Sequence, residues 1–430
     1  LDQLRDLSEQ DLGYNWELGA DYAMSLDSDA QLKWQWIQNR SSRDFERAIN
    51  DQFILAGGPD FNSLEQKQTH NGETIAKVSL FVSHNDAFSS RSGLELVHNF
   101  IDQQLLLVED SSVAEDSDQR IVEERAVMFW FGQWQLLPEL QLDIGSSAEY
   151  SNVRQSGDLR QQREFFYPKP QLELNWRLSS AETWLLGINR EVNQLNLADF
   201  TNSVDSDSDE LRPSNPDLEQ EKSWQIRIQY ERILANNGGN LKAKYYYHDI
   251  EDVVDQMPVS PTESVLGNIG DGERHGIAVE LDTSLAENTR GTLKLDLIDT
   301  SVTDPFNGDT RQISGVRHNV WTAEIKQEYP DLSVPLSIGL KYAYKSRYQN
   351  RRIDEINTVS ESDGYLDTYV EWQLPSKMNV RLDVKNLLDN TVETDRVNFT
   401  ESITAGGVES NEYFEKRLGL FAELNVSAQF

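Results

Sequence analysis

Six histidines, His70, His84, His98, His248, His275 and His318, are the side chains best suited to proton or metal chemistry near neutral pH. A zinc hydrolase helix wants two of them four residues apart around a glutamate, and no pair has that spacing. They read as structural or solvent-facing. Carboxylates cluster at Glu109-Asp110, at Asp116-Ser117-Asp118 and along Asp205-Ser206-Asp207-Ser208-Asp209-Glu210. A calcium loop staggers its oxygen ligands around a glycine turn, and the 205–210 run has no glycine, so it reads as a solvated acidic loop with weak divalent binding as the alternative. There is no cysteine, hence no thiolate chemistry and no disulfide framework. No G-x-S-x-G, phosphate loop or dinucleotide-type glycine motif occurs either. No residue set reads as catalytic, no cofactor is expected, and the chain is not read as an enzyme.

Binding is the other chemistry side chains can do. Aromatic rings supply contact area and guanidinium groups supply charge recognition, so the candidates for contact with a ligand are Tyr167, Tyr246, Arg317, Tyr348, Arg351 and Arg352. Each has a plainer role open to it: an interfacial girdle for the tyrosines, loop solubility or lipopolysaccharide phosphate for the arginines.

The elements that would position them alternate. Tyr14, Trp16, Leu18, Ala20 and Tyr22 fall on one side of a strand, with Asn15, Glu17 and Asp21 on the other. Trp224, Ile226, Ile228 and Tyr230 oppose Gln225, Arg227 and Gln229, and Met378, Val380, Leu382 and Val384 oppose Asn379, Arg381, Asp383 and Lys385. The last stretch, Leu418 to Phe430, alternates to the end and is long for a soluble sheet but suited to a tilted bilayer crossing. Helical spacing is nowhere sustained, and no apolar run approaches a membrane helix. A 38% apolar fraction is enough for a wall in which only every second residue meets lipid. The net charge of −34 argues against a nucleic-acid partner, whose phosphates it would repel.

A soluble antiparallel sandwich also alternates. Against it, the polar faces are densely charged, Tyr and Trp stand near strand ends, and connections alternate in length. Short turns fall near 26–30, 136–139, 179–182, 236–240, 286–291, 330–335 and 375–377. Long polar segments, read as loops, fall near 40–71, 105–120, 151–163, 190–222, 251–273, 300–315, 346–363 and 392–413. Short turns at one rim and long loops at the other mark an outer-membrane barrel. The reading is all-β: an antiparallel transmembrane β-barrel over residues 1–430 with about 17 strands. That count puts the two ends of the chain at opposite rims, which an even-stranded closed barrel forbids. Either a strand is missed, near Phe45–Asn50, or the first part of a barrel lies elsewhere.

Three motifs resemble the barrel of TonB-dependent outer-membrane receptors. Lys385-Asn386-Leu387-Leu388-Asp389-Asn390 is similar to that family's strand-ending turn, with Phe430 resembling its terminal assembly signal. Arg212-Pro213-Ser214-Asn215-Pro216-Asp217-Leu218 resembles a loop motif that precedes a long strand, and Asn268-Ile269-Gly270-Asp271-Gly272-Glu273 an entry into another. Residues 160–430 carry the likeness; the earlier part fits by pattern. Asn386 and Asp389 suit a turn, and Asn215, Pro216 and Asp217 stop one strand before the next. These are structural roles.

The resemblance implies a receptor barrel of about 22 strands closed over a plug domain, with neither the plug nor about five first strands in this chain. It further implies energised uptake of a scarce nutrient such as a ferric siderophore or a saccharide. The expected partners are outer-membrane lipid and lipopolysaccharide, a small nutrient ligand, and the TonB energy-coupling protein through an N-terminal segment not present here. The expected location is the bacterial outer membrane. Alternatives are a plugless, porin-like passive channel or a soluble β-rich binding protein.

Overall fold

The computed structural model describes residues 3–53, 61–204, 211–235, 238–374 and 378–428. Seventeen wall strands follow one another in the chain. The first eight are β1 (Gln3–Asp27), β2 (Ala30–Phe53), β3 (Phe61–Asn85), β4 (Phe88–Glu109), β5 (Ser112–Leu137), β6 (Leu140–Gly157), β7 (Gln161–Arg177) and β8 (Glu182–Val192). The next five are β9 (Lys222–Ile233), β10 (Gly239–Glu251), β11 (Gly272–Ala286), β12 (Thr289–Thr303) and β13 (Asn319–Tyr329). The wall ends with β14 (Leu336–Lys345), β15 (Tyr365–Leu374), β16 (Met378–Lys385) and β17 (Phe421–Ala428). Each pairs antiparallel with the next, and Thr310–Arg311 adds a short piece to β12. Among the described residues β1 pairs only with β2, and β17 only with β16.

The alternation has the meaning expected of it. Ile226 is 42% exposed, Leu340 48% and Leu424 64%, yet these are the apolar faces of their strands. In a sandwich they would be covered by a second sheet. Here they form a continuous outward band, with Trp16, Trp34, Trp130, Trp134 and Trp176 exposed among them. Buried apolar residues instead form two small clusters. One is Ile101, Ile121, Val153, Phe200 and Leu218; the other is Ile250, Val253, Val302 and Ile313. Both lie where outer loops fold back onto strands.

Three sequence expectations are corrected. The described residues of the segments near 40–71, 105–120 and 151–163 are for the most part strand: 151–163 falls within β6 and β7, and the other two within β1–β5, which run 22–26 residues each. At about 3.3 Å per residue they rise far beyond the roughly 30 Å hydrocarbon core. The outer tip of β4–β5 is only Asp110-Ser111, both with positive φ (45° and 67°), as a two-residue hairpin turn requires. Polar pairs such as Arg43–Asp11 (2.6 Å) and Arg47–Glu65 (3.5 Å) join these extensions across strands, so polarity alone did not mark a loop. Phe45–Asn50 is no separate strand; it belongs to β2. The final strand begins at Phe421 rather than Leu418, since Gly419 turns the chain at φ 70°. Phe430 and the acidic run 205–210 lie outside the described residues.

Candidate functional site: the outer loop layer

From β8 onward the strands are short, 8–15 residues, and the outer rim is built by folded loops. The described parts of the loop that follows β8, residues 193–204 and 211–221, turn inward over the lumen side of β4–β7. Asn196 caps a short 3-10 turn, Leu197–Phe200, by accepting from the Ala198 N–H. Phe200 and Leu218, 2% and 1% exposed, enter the first apolar cluster. Backbone groups of this loop, cut off from water, are met by strand side chains. Gln119 accepts from the Asn202 N–H (2.8 Å), Gln155 donates to the Phe200 carbonyl (3.3 Å), and Arg163 donates to that of Leu218 (3.0 Å). Burial pushes the Asp199 carboxyl above its ordinary range, against the pull of the Asn196 side chain.

The Asn-Pro-Asp-Leu motif closes this loop. Asn215 accepts from the Asp217 N–H and donates to the Leu266 carbonyl, both at 2.9 Å, tying the loop to the hairpin Val254–Pro258/Ser264–Asn268 that follows β10. Pro216 lies beside Phe200 and Leu218 in a narrow cleft. Asn268 donates to the Glu219 and Asp252 carbonyls, and Glu221 accepts from Val254 N–H and the Asn193 side chain. Burial pushes the Glu221 carboxyl up, with those hydrogen bonds pulling the other way.

An ion cluster ties this hairpin to the next loops. Asp304, with a fully buried side chain, accepts from Arg311 (3.1 Å) and Arg351 (3.2 Å), while Asp255 accepts from Arg311 at 2.9 Å. Residues far apart in sequence are thus fixed through one carboxylate. Beyond it the strands Tyr348–Arg351, Glu355–Glu361, Thr391–Phe399 and Val408–Arg417 make a separate four-stranded sheet. The Asn386 and Asp389 turn leads into it. Both have positive φ (60° and 52°), and Asn386, 1% exposed, accepts from the Asn390 N–H and donates to the Gly419 carbonyl. Leu387, by contrast, is 37% exposed.

The six candidate ligand residues fall in different places. Tyr167 is buried and its hydroxyl donates to Gln220 (2.8 Å), so it holds the 193–221 loop. Tyr246 lines a lumen cavity, with the Lys244 ammonium 5.1 Å from its ring centre. Arg317 stacks on the Tyr348 ring at 4.8 Å, pairs with Glu361 and donates to the Ser346 carbonyl. Tyr348 and Arg351 line one outer cavity together, whereas Arg352 pairs locally with Asp354. The sequence reading missed Arg311 and Arg347 and took His318 as structural or solvent-facing, yet all three line that same cavity of about 290 Å³. It also missed Arg227, Lys244 and Arg274 around the lumen cavity of about 380 Å³, which the set-aside His248 lines as well. The available signal was parity: Arg227 and Lys244 sit on the faces opposite the exposed apolar residues of their strands. Among the described residues no group of His, Asp and Glu is placed to hold a metal ion.

An antiparallel wall, apolar outside and polar inside, with short turns at one rim and a folded loop layer at the other, defines an outer-membrane β-barrel. The profile described as "TonB dependent receptor-like, beta-barrel" matches residues 2–387. This chain belongs to that β-barrel family of the bacterial outer membrane. Solved structures of like fold include the ferric yersiniabactin uptake receptor FyuA from Yersinia pestis, at TM-score 0.63 and 13% identity over 92% of this chain. The ferric-catecholate import receptor Fiu from E. coli K12 aligns at TM-score 0.70 and 11% identity over 97%. BauA, the ferric preacinetobactin receptor from Acinetobacter baumannii, aligns at 0.63 and 10% over 98%. The chain spans 60%, 64% and 63% of those three proteins. A search of curated proteins by sequence returns no match.

Proposed function

We propose that this barrel is the wall and outer vestibule of an energised importer that captures a scarce nutrient at its loop layer and passes it inward. The observation that carries the reading is the loop layer itself. A passive channel needs a lumen and little more, whereas here loops 193–221, 252–271, 304–318 and 346–364 are cross-tied into one fixed surface over the lumen side. A fixed polar surface loses little entropy on meeting a ligand. Neighbours of like fold are named as receptors for ferric chelates, which favours a chelated metal as cargo.

Closure of the wall and energy coupling belong to the same reading. By parity β1 and β17 run in the same direction, so antiparallel closure takes an odd number of intervening strands. About five would complete a barrel of about 22. We assign these strands, a plug and a segment gripped by TonB to further chain. The test is uptake in a deletion strain complemented with the full gene and supplied with single iron sources. Uptake that stops when TonB is removed supports the proposal; uptake indifferent to TonB contradicts it.

A further inference from the structure

Charge along the lining singles out one side of the vestibule. The chain carries 73 acidic residues against 39 Lys and Arg. Yet the outer cavity is lined by Arg311, Arg347 and Arg351 with no carboxylate. Asp255 and Asp304 stand behind it and hold the Arg311 and Arg351 guanidinium groups in place. The Arg311 side chain is only 8% exposed and its Nη2 has no hydrogen-bond partner. Arg347 is exposed and makes no ion pair among the described residues.

The lumen cavity repeats the pattern one step inward. It is lined by Arg227, Lys244, His248 and Arg274 against the single carboxylate of Asp296, which is engaged by the Tyr246 hydroxyl at 3.2 Å. Glu173 pairs with Arg227; Lys244 and Arg274 make no ion pair among the described residues, although the Arg274 charge acts on the Glu221 carboxyl, and Arg274 Nε is buried without a hydrogen-bond partner. His248 lies opposite Arg274, and Tyr246 opposite Gly276, in the strand register. A side chain at 276 would meet the Tyr246 ring at 2.6 Å, so the ring lies along the wall. The two cavities meet at one backbone pair: Ile298, which lines the inner one, donates to the carbonyl of His318, which lines the outer one (2.7 Å).

Cations left unpaired in a partly dry wall are costly unless an anion compensates them. Screening limits their reach to about 8 Å at physiological salt, so only a ligand within the track benefits. We infer that β9–β13 and their loops form a basic track for a small polyanion bearing several carboxylate or phosphate groups. It is captured at Arg311, Arg347 and Arg351 and handed to Lys244 and Arg274. The inference names a cargo class for the import reading above and rests on it.

The test is calorimetric titration of the purified full-length receptor in detergent with citrate, pyrophosphate and the uncharged maltotriose. The track predicts that both anions bind, that maltotriose does not, and that binding weakens as NaCl rises from about 0.05 to about 0.5 M. Arg347→Gln, at an exposed site with no partner to orphan, should weaken binding severalfold. Lys244→Gln with Arg274→Gln should weaken it about tenfold, a difference of about 1.4 kcal/mol. Asp296→Asn should tighten it. Equal binding of maltotriose, no binding of either anion, or anion affinities unmoved by these substitutions would overturn the track. Binding in detergent needs no energy coupling. TonB-independent uptake with anion binding intact would therefore fault only the import reading, and TonB-dependent uptake without anion binding only the track.

Discussion

Up to Arg177 the outer rim is carried by the sheet itself, in strands that run on past the bilayer as bare hairpins. From Glu182 onward short strands stop near the rim and folded loops take over. The hairpin extensions satisfy their backbone within the ladder, and charged side chains pair across it, in the open as Arg43 does with Asp11 or buried as Arg47 is with Glu65. The loops have no ladder to rely on. Their backbone groups depend on a few buried or half-buried side chains, among them Gln119, Gln155, Arg163 and Asn268, and Tyr167 holds the same loop through the Gln220 side chain. Stability is therefore spread thinly over the first region and concentrated at single residues in the second.

The sharpest way to break that contrast is to remove a carboxylate from each region. Asp304→Ala leaves Arg311 and Arg351 facing each other without their shared partner and should cost the loop layer about 3–5 kcal/mol. Hydrogen exchange should accelerate across the loops while the wall strands stay protected. Asp11→Ala, in an exposed, solvent-screened pair, should leave stability close to that of the parent. Equal losses at the two sites would erase the distinction.

Next in size is the boundary between lipid and water, which both regions share. Ile226→Arg puts a charge on the outward face and should cost about 2–4 kcal/mol if it sits near mid-bilayer. Gln225→Arg, one residue away on the lumen side, should be close to neutral, as read from denaturant unfolding in lipid vesicles. A smaller effect is expected where loop and extension meet. Tyr167→Phe removes the donor to the buried Gln220 and should loosen the 193–221 loop by about 1–3 kcal/mol, seen as faster exchange there alone.

The least effect is a pH dependence confined to the loops. Glu221 has its folded pKa raised by burial, so the protonated form is the one the fold favours. Its contribution is fully present below the unfolded value of 4.5 and is lost as pH rises through the folded one. Protection of the 219–221 segment should thus decline with rising pH over that window, and Glu221→Gln should flatten the profile.

The wall was legible in the sequence because period-2 alternation is a local property: Ile226 faces lipid for the same reason that Gln225 does not. The length of β1–β5 was not legible, since polar pairs such as Arg47–Glu65 look like loop residues until the cross-strand register is known. The loop motif around Asn215 announced a turn but not its partner, the Leu266 carbonyl about fifty positions on. The Asp255–Arg311–Asp304–Arg351 cluster left no trace either, because it joins segments that spacing cannot connect. For the same reason Arg311 and Arg347 went unnoticed beside Tyr348 and Arg351, their neighbours in space.

Everything rests on which side of the wall meets lipid. The chain has no cysteine, so single cysteines introduced at Gln225, Ile226, Arg227 and Ile228 report on that face alone. With the protein in lipid vesicles, a fluorophore at 226 or 228 should be quenched by spin-labelled lipid and spared by a water-soluble quencher. At 225 and 227 lipid-borne quenching should be absent. Quenching that ignores the alternation, or that is strongest from lipid at 225 and 227, would contradict the account.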